Sequence, residues 1–276
     1  DPEGYAVYEG PAAGDTIEIE GIQPWSHAAP VLYHAVLTLR DADGVLQEVV
    51  PYDIGFRRFE MINGVMCLNG ERVVFNGVNR HEWNADRGRA IGADDMHAAM
   101  AVFKKNTINA VRTCHHTDQS LWYDLCDRNG IYMIDETNLE SHGSWQKLGA
   151  VEPSWNVPGS LPEWKDCVVD RARSMFERDK NHAAVLIWSC GNESYAGEDI
   201  LAMSSTTTTR DASCIMRVCS TAVRSTPSAT WKAGCTPSRG RSASISNPTR
   251  RSPSFSASIC TIWATRWAAW RAMCAW

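Results

Sequence analysis

Two apolar-rich runs, VLYHAVLTL (31–39) and LQEVVPYDI (46–54), flank the turn signal DADG (41–44). Strand-like runs on either side of such a turn predict a β-hairpin. Pro24 and Pro30 bracket the loop that precedes it. Two or three strands do not close a sandwich by themselves, so residues 1–60 read as the closing part of a β domain.

From residue 60 the rhythm changes. Short apolar runs, RVVFNGV (72–78), INAVRTC (108–114), IYMIDETN (131–138) and AAVLIWSCGN (183–192), predict four buried strands. Between them DDMHAAMAVFKKN (94–106), QSLWYDLCDRNG (119–130, with a glycine stop) and PEWKDCVVDRARSMFERDKN (162–181) have helical spacing. Strands alternating with amphipathic helices imply βαβ units and a parallel sheet. Four such strands are half of an eight-stranded barrel, which needs about 250 residues. The strand ends carry the polar residues: NRHE (79–82), CHH (114–116), DETNLESH (135–142) and GNES (191–194). The C-terminal strand ends are the functional face of a barrel. An open dinucleotide-binding sheet is the competitor, and no G-x-G-x-x-G follows any strand.

Composition splits the chain. Of 276 residues, 44% are hydrophobic and 21% charged, with a net charge of −5. That balance fits a soluble globular protein and makes nucleic acid an unfavourable partner. No apolar run is long enough to span a membrane, and DPEGYAVYEG at the start has no signal-peptide pattern. Residues 1–203 hold 31 Asp and Glu against 17 Lys and Arg, whereas residues 204–276 hold one acid, Asp211, against ten Lys and Arg. The tail contains no Leu, Glu, Gln, Tyr or His, yet five of the ten Cys and five of the twelve Trp. Cys67, Cys114, Cys126, Cys167 and Cys190 are scattered without a CxxC pair, as expected of reduced, mostly buried thiols in a cytoplasmic protein.

Glu193 follows IWSCGN at the end of an apolar strand, where a partly desolvated carboxyl is suited to donate a proton. The same letters also fit an acid at a helix start. Glu140 and His142 are spaced i, i+2, which on an extended strand end puts both on one face. There they could share a divalent ion, or simply hydrogen-bond to orient a loop. His81 and His115 each follow an Arg-containing strand end, and either could bind a sugar hydroxyl or a backbone carbonyl.

Together these segments resemble the catalytic barrel of the β-galactosidases of glycoside hydrolase family 2, the bacterial lactose-cleaving type. LNGERVVFNGVNRHEWNADRGRAIG (68–92), NAVRTCHHTDQSLWYDLCDRNGIYMIDETNLESHG (109–143) and ERDKNHAAVLIWSCGNES (177–194) carry the likeness. PWSHAAPVLYHAVLTLRDADG and YDIGFRRFEMINGVMCLNG look like the immunoglobulin-like sandwich that precedes that barrel. The likeness runs through residues 1–203, with four strand-end motifs in order. It implies an α/β chain: the end of an immunoglobulin-like β-sandwich (1–60), the first half of a TIM (β/α)8 barrel (61–203), and a tail (204–276) not expected to fold. It also implies Glu193 as general acid/base, Asn192 on the sugar 2-hydroxyl, and His81 and His115 at the sugar hydroxyls around the transition state. Glu140, His142 and Glu193 match ligands of Mg2+, and the family also uses a monovalent cation such as Na+. The implied substrate is a terminal β-galactoside of the lactose type, and such enzymes are often homo-oligomers. A glucuronidase is disfavoured by LWYDLCDRNGIYMIDETNLESHG, which follows the galactosidase pattern. One departure is local: CHHTDQ (114–119) stands where the family usually has S-H-Y-P-N.

Retaining hydrolysis needs a second carboxyl about 5–5.5 Å from the first, in a segment resembling I-L-C-E-Y-M-H-x-M-G-N-S. No carboxylate side chain follows Asp211. A synonymous encoding of FSASICTIWATRWAAW (255–270), prefixed by one nucleotide, regroups to ILCEYMHDMGNSLGGM. Trp has one codon, so Trp263, Trp267 and Trp270 constrain this regrouping tightly. The tail therefore reads as out of frame from shortly after Met203, with the missing Glu codon straddling Ala257 and Ser258. The alternatives are an active family member and an inactive fragment with at most weak sugar or magnesium binding.

Overall fold

A computed structural model describes residues 1–10, 19–141, 146–147, 150–151, 157–194, 197–206, 213–217 and 232–233. The chain divides into two compact units. The first comprises Asp1–Cys114, Asp118–Ile134 and Glu177–Leu186; the second comprises His115–Thr117, Asp135–Phe176 and Ile187–Trp276.

In the first unit, β1 (Tyr33–Arg40) and β2 (Leu46–Ile54) form the expected antiparallel hairpin, in register from Tyr33↔Ile54 to Leu39↔Glu48. The Asp41 carboxylate closes the turn by accepting the N–H groups of Asp43 (3.0 Å) and Val45 (2.9 Å). The hairpin is a two-stranded sheet of its own, and Val36, Leu37 and Leu39 stay exposed along it. A meander follows that periodicity did not predict: β3 (Phe59–Ile62), β4 (Val65–Leu68) and β5 (Glu71–Arg72). Asn63 and Gly64 both adopt positive φ between β3 and β4, the backbone that a two-residue hairpin loop requires. The predicted strand RVVFNGV is thereby split. Val73 donates its N–H to Met66 (2.9 Å), and only Gly77–Arg80 (β6) enters the parallel sheet.

Strands β6, β7 (Ala110–Thr113) and β8 (Tyr132–Glu136) run parallel, paired Gly77↔Ala110 and Ala110↔Tyr132. Asn109 anchors their lower ends: its side chain accepts the Asn76 N–H (2.7 Å) and donates to Val74 O (2.9 Å). Helix α1 (Ala93–Lys105) lies between β6 and β7 in the chain, with Asp94 and Asp95 in its first turn and Lys104 and Lys105 in its last. That arrangement complements the helix dipole, and Met96, Met100 and Phe103 are its buried residues. Helix α2 (Ser120–Asn129) stops at Gly130, which has a left-handed φ of 67° and where a Cβ would sit 2.7 Å from His27 O, leaving no room for a side chain.

Trp25 is fully buried, donates its indole N–H to Asp127 O (2.8 Å) and meets Tyr132 edge-on. Asp127 is buried at the end of α2. It accepts the Ala184 N–H and a His182 ring nitrogen, both at 2.7 Å. Burial raises the Asp127 pKa against these bonds. Arg57 grips the start of the next strand, donating to Ala183 O (2.5 Å) and Val185 O (2.6 Å).

In the second unit, β9 (Gln146–Lys147) and β10 (Ala150–Val151) form a small antiparallel pair. Helix α3 (Pro162–Asp179) belongs to this unit up to Phe176 and β11 (Val185–Ser189) from Ile187 onward, and α4 (Glu198–Thr206) follows. Val168, Ala172, Cys190, Ile200 and Met203 make the core here, with Leu139 and Leu201 packed against it. Thr137 donates its N–H to Ser189 O (2.9 Å), joining the end of β8 to β11. Beyond β11 the sheet continues in parallel through β12 (Ser213–Arg217) and β13 (Lys232–Ala233), paired Ile187↔Ser213 and Met216↔Lys232. Two short strands therefore lie within a tail that was not expected to fold. SCIMR is an apolar core between polar ends, long enough to pair with β11. Among the described residues, no helix is long and apolar enough to cross a membrane.

Candidate active site

Strand β11 is buried along all five residues, and the chain turns sharply where it ends. Gly191 has φ 124°, and a Cβ there would sit 2.5 Å from Leu139 O. That close approach lets the Asn192 N–H reach the same Leu139 oxygen at 2.8 Å. The Asn192 side chain then donates to Glu140 Oε1 (2.9 Å), and Ser194 Oγ donates back to Asn192 O (3.2 Å). Glu140 and Asn192 also form a parallel β-bridge. Asn192 is thus a buried clamp with one carboxylate residue, Glu193, next to it in the chain and another, Glu140, hydrogen-bonded to it.

Glu193 is half-buried and has φ 43°. A left-handed backbone at a residue other than Gly, Asn or Asp costs roughly 1–2 kcal/mol, and such strain concentrates at functional sites. The helix-start alternative does not hold, because α4 begins only at Glu198. Glu140 is exposed. His142, the other expected metal ligand, lies outside the described residues.

His115 stands just beyond β7 and is half-buried. Its Nδ1 is 2.8 Å from Glu136 Oε1, while Ser189 Oγ donates to Glu136 Oε2 at 2.7 Å. Glu136 ends β8 and is fully buried, and Ser189 ends β11. Sequence reasoning passed over both. The available signal was the acidic pair Asp135–Glu136 inside an otherwise apolar strand. His81 follows β6, is exposed, and belongs to the first unit, whereas Glu140, Asn192, Glu193 and His115 belong to the second.

A second polar group in the first unit was also missed. Arg80, buried at the end of β6, stacks on the Trp122 ring (4.0 Å) and forms ion pairs with Glu82 (3.3 Å) and Asp118. Burial pushes the Asp118 pKa up to about 7, against the pull of Arg80. Asp118 sits in CHHTDQ, the segment where the sequence departs from the family pattern.

A cavity of about 630 Å³ opens within the second unit. Glu140, Asn138 and Ser141 line one part of it, and Trp164, Cys167 and Arg171 of α3 line another. Arg171 donates to Asn138 O (2.9 Å), which fixes the strand-end loop against α3.

Residues 4–57 match the profile described as glycosyl hydrolases family 2, and residues 59–233 match the TIM barrel domain of glycosyl hydrolases family 2. The chain belongs to glycoside hydrolase family 2. Its parallel strands β6, β7, β8 and β11 are the start of the family's TIM barrel, preceded by the family's sandwich domain. A β-galactosidase of Clostridium acetobutylicum is 60% identical over 188 residues, which are 68% of this chain and 21% of that protein. One of Halalkalibacterium halodurans is 61% identical over 180 residues, 65% of this chain and 18% of that protein. The chain thus spans about a fifth of the length of these family 2 relatives. Among solved structures, a β-glucuronidase from Ruminococcus gnavus superposes with a TM-score of 0.63 at 23% identity, covering 72% of this chain and 34% of that one. A family 2 β-galacturonidase from Eisenbergiella tayi gives a TM-score of 0.61 at 24% identity, covering 74% and 35%. These two likenesses concern the fold.

Proposed function

We propose that this chain is part of a β-galactosidase that hydrolyses terminal β-D-galactosides with retention, with Glu193 as its general acid/base. The observation that carries the reading is the backbone of Glu193, held left-handed at a strand end by a buried Asn192 clamp. Identity of about 60% to curated β-galactosidases supports the galactoside specificity.

In this reading Glu193 protonates the departing glycosidic oxygen and later takes a proton from the attacking water. Asn192 holds the sugar 2-hydroxyl and His115 meets another hydroxyl, so that their hydrogen bonds tighten as charge develops at the anomeric carbon. Glu140 and Glu193 offer hard carboxylate oxygens on either side of Asn192, a donor set that fits Mg2+, with His142 as the third ligand. Bound magnesium would neutralise charge beside the acid/base. Five free cysteines among the described residues accord with a cytoplasmic location.

A second reading rests on a specific observation: no carboxylate side chain follows Asp211. The nucleophile is then missing from this polypeptide, and the 276-residue chain is inactive as written, its tail being out of frame. Turnover of a chromogenic β-galactoside with added magnesium tests both. We expect no more product from the chain than from its Glu193→Gln variant; turnover that Glu193→Gln abolishes would overturn the inactive reading. Calorimetry with a galactose-configured iminosugar tests the sugar class, and tighter binding of a glucuronic-acid-configured one would overturn the galactoside reading. An uninterrupted, verified reading frame across codons 200–210 would refute the frame slip.

A further inference from the structure

We infer that Glu136 is a positioning residue for His115, fixing its imidazole as the Nδ1–H tautomer so that Nε2 accepts a hydrogen bond from a sugar hydroxyl. The inference rests on the proposed role of His115 in sugar binding. A carboxylate with no exposed surface is costly to bury and persists where donors surround it. Here two donors converge on it from two neighbouring strand ends. His115 Nδ1 lies 2.8 Å from Oε1, and Ser189 Oγ donates to Oε2 at 2.7 Å.

The second bond supports the first: Ser189 donates to Oε2 and helps to orient the carboxylate, whose Oε1 faces the histidine. An acceptor at Nδ1 places the ring proton there and leaves the lone pair on Nε2. This is the device by which carboxylates orient metal-bound histidines, used here on a histidine at the sugar. The support is rigid. Thr137, next to Glu136, donates its N–H to Ser189 O (2.9 Å), so side chain and backbone of one strand end both hold Ser189. Ser189 Oγ in turn accepts the Gly191 N–H at 3.5 Å, which links the arrangement to the turn that carries Glu193.

The test is long-range 1H–15N correlation of the histidine rings in the labelled 276-residue chain, at about two pH units above the ordinary imidazole pKa. His115 is assigned by comparison with His115→Gln. We expect a pyrrole-like Nδ1 and a pyridine-like Nε2. In Glu136→Gln the amide has one acceptor oxygen for two donors, so the ratio of Nδ1–H to Nε2–H should fall about tenfold or more. Ser189→Ala keeps the carboxylate and should retain most of the Nδ1–H form. A wild-type Nε2–H tautomer overturns the inference even if Glu136→Gln does not fold, and so does an unchanged ratio in a folded Glu136→Gln chain. A galactose-configured iminosugar should shift His115 Nε2. The expected tautomer and Glu136 dependence without that response would support the positioning and refute the glycosidase reading beneath it.

Discussion

Gly191→Ala is the sharpest probe of how the strand end is built. The methyl group would sit 2.5 Å from Leu139 O and 3.0 Å from Leu139 Cβ, on a backbone of φ 124°. A side chain in that essentially glycine-only region costs roughly 1–3 kcal/mol. Moving the Leu139 carbonyl away also breaks its bond to the buried Asn192 N–H, a further loss of about 1–3 kcal/mol. The reduced freedom of the unfolded chain returns only about 0.5 kcal/mol, leaving a net destabilisation of about 3.5 kcal/mol at the middle of these ranges. Gly44→Ala is the control: φ is 80° and nothing lies within 4 Å, so only strain of roughly 1–2 kcal/mol applies. Urea unfolding compares the two, and hydrogen exchange at the Asn192 amide shows whether the loss is local. Destabilisation by Gly191→Ala within about 1 kcal/mol of the control, with unchanged protection at Asn192, would refute the close-approach argument.

Two other outcomes follow from the same geometry. Glu193→Gly relieves a left-handed backbone, and the gain roughly offsets the entropy that glycine costs. Its unfolding free energy should match or exceed that of the parent by up to about 1 kcal/mol while magnesium and iminosugar binding are lost, and a clear loss of stability would show that Glu193 is held for packing. Asp118 makes stability fall with pH. Its folded pKa of about 7 lies above the ordinary 3.8, so its contribution is fully present below about pH 4 and is lost as pH rises through 7. The three-unit shift corresponds to at most about 4 kcal/mol. Asp118→Asn should flatten the difference between urea midpoints at pH 5 and pH 8, and an unchanged slope would refute the assignment.

The turn signal between apolar-rich runs located the hairpin, helical spacing located α1 to α3, and short apolar runs located the four parallel strands, of which β7 and β11 are buried along their whole length. Periodicity failed where short-range geometry governs. The β3–β4–β5 meander turns on Asn63 and Gly64, and strands of four, four and two residues are too brief for a pattern to emerge. SCIMR was passed over because three apolar residues between polar ends are too short a run to stand out. At the candidate site, residue type at strand ends singled out Glu193, Glu140 and His115, and the family resemblance added Asn192. The groups behind them, Glu136 with Ser189 and Arg80 with Asp118, were not. Their importance lies in burial and in contacts between residues 38 to 53 positions apart, which no local window contains.

The Arg57 side chain gives the boundary between the two family segments an awkward property. The sandwich match ends at residue 57 and the barrel match begins at residue 59, yet Arg57 supplies donors to the carbonyls of Ala183 and Val185 at the foot of β11. Both residues are nearly fully buried, so a barrel excised from residue 59 onward would lose the partners of two interior acceptors. At roughly 1–3 kcal/mol each, that loss approaches the whole stability of a small domain. Any minimal barrel fragment must therefore carry its neighbour's last arginine with it, and a swap of sandwich domains between relatives must match that residue alongside the Trp25 and His27 contacts.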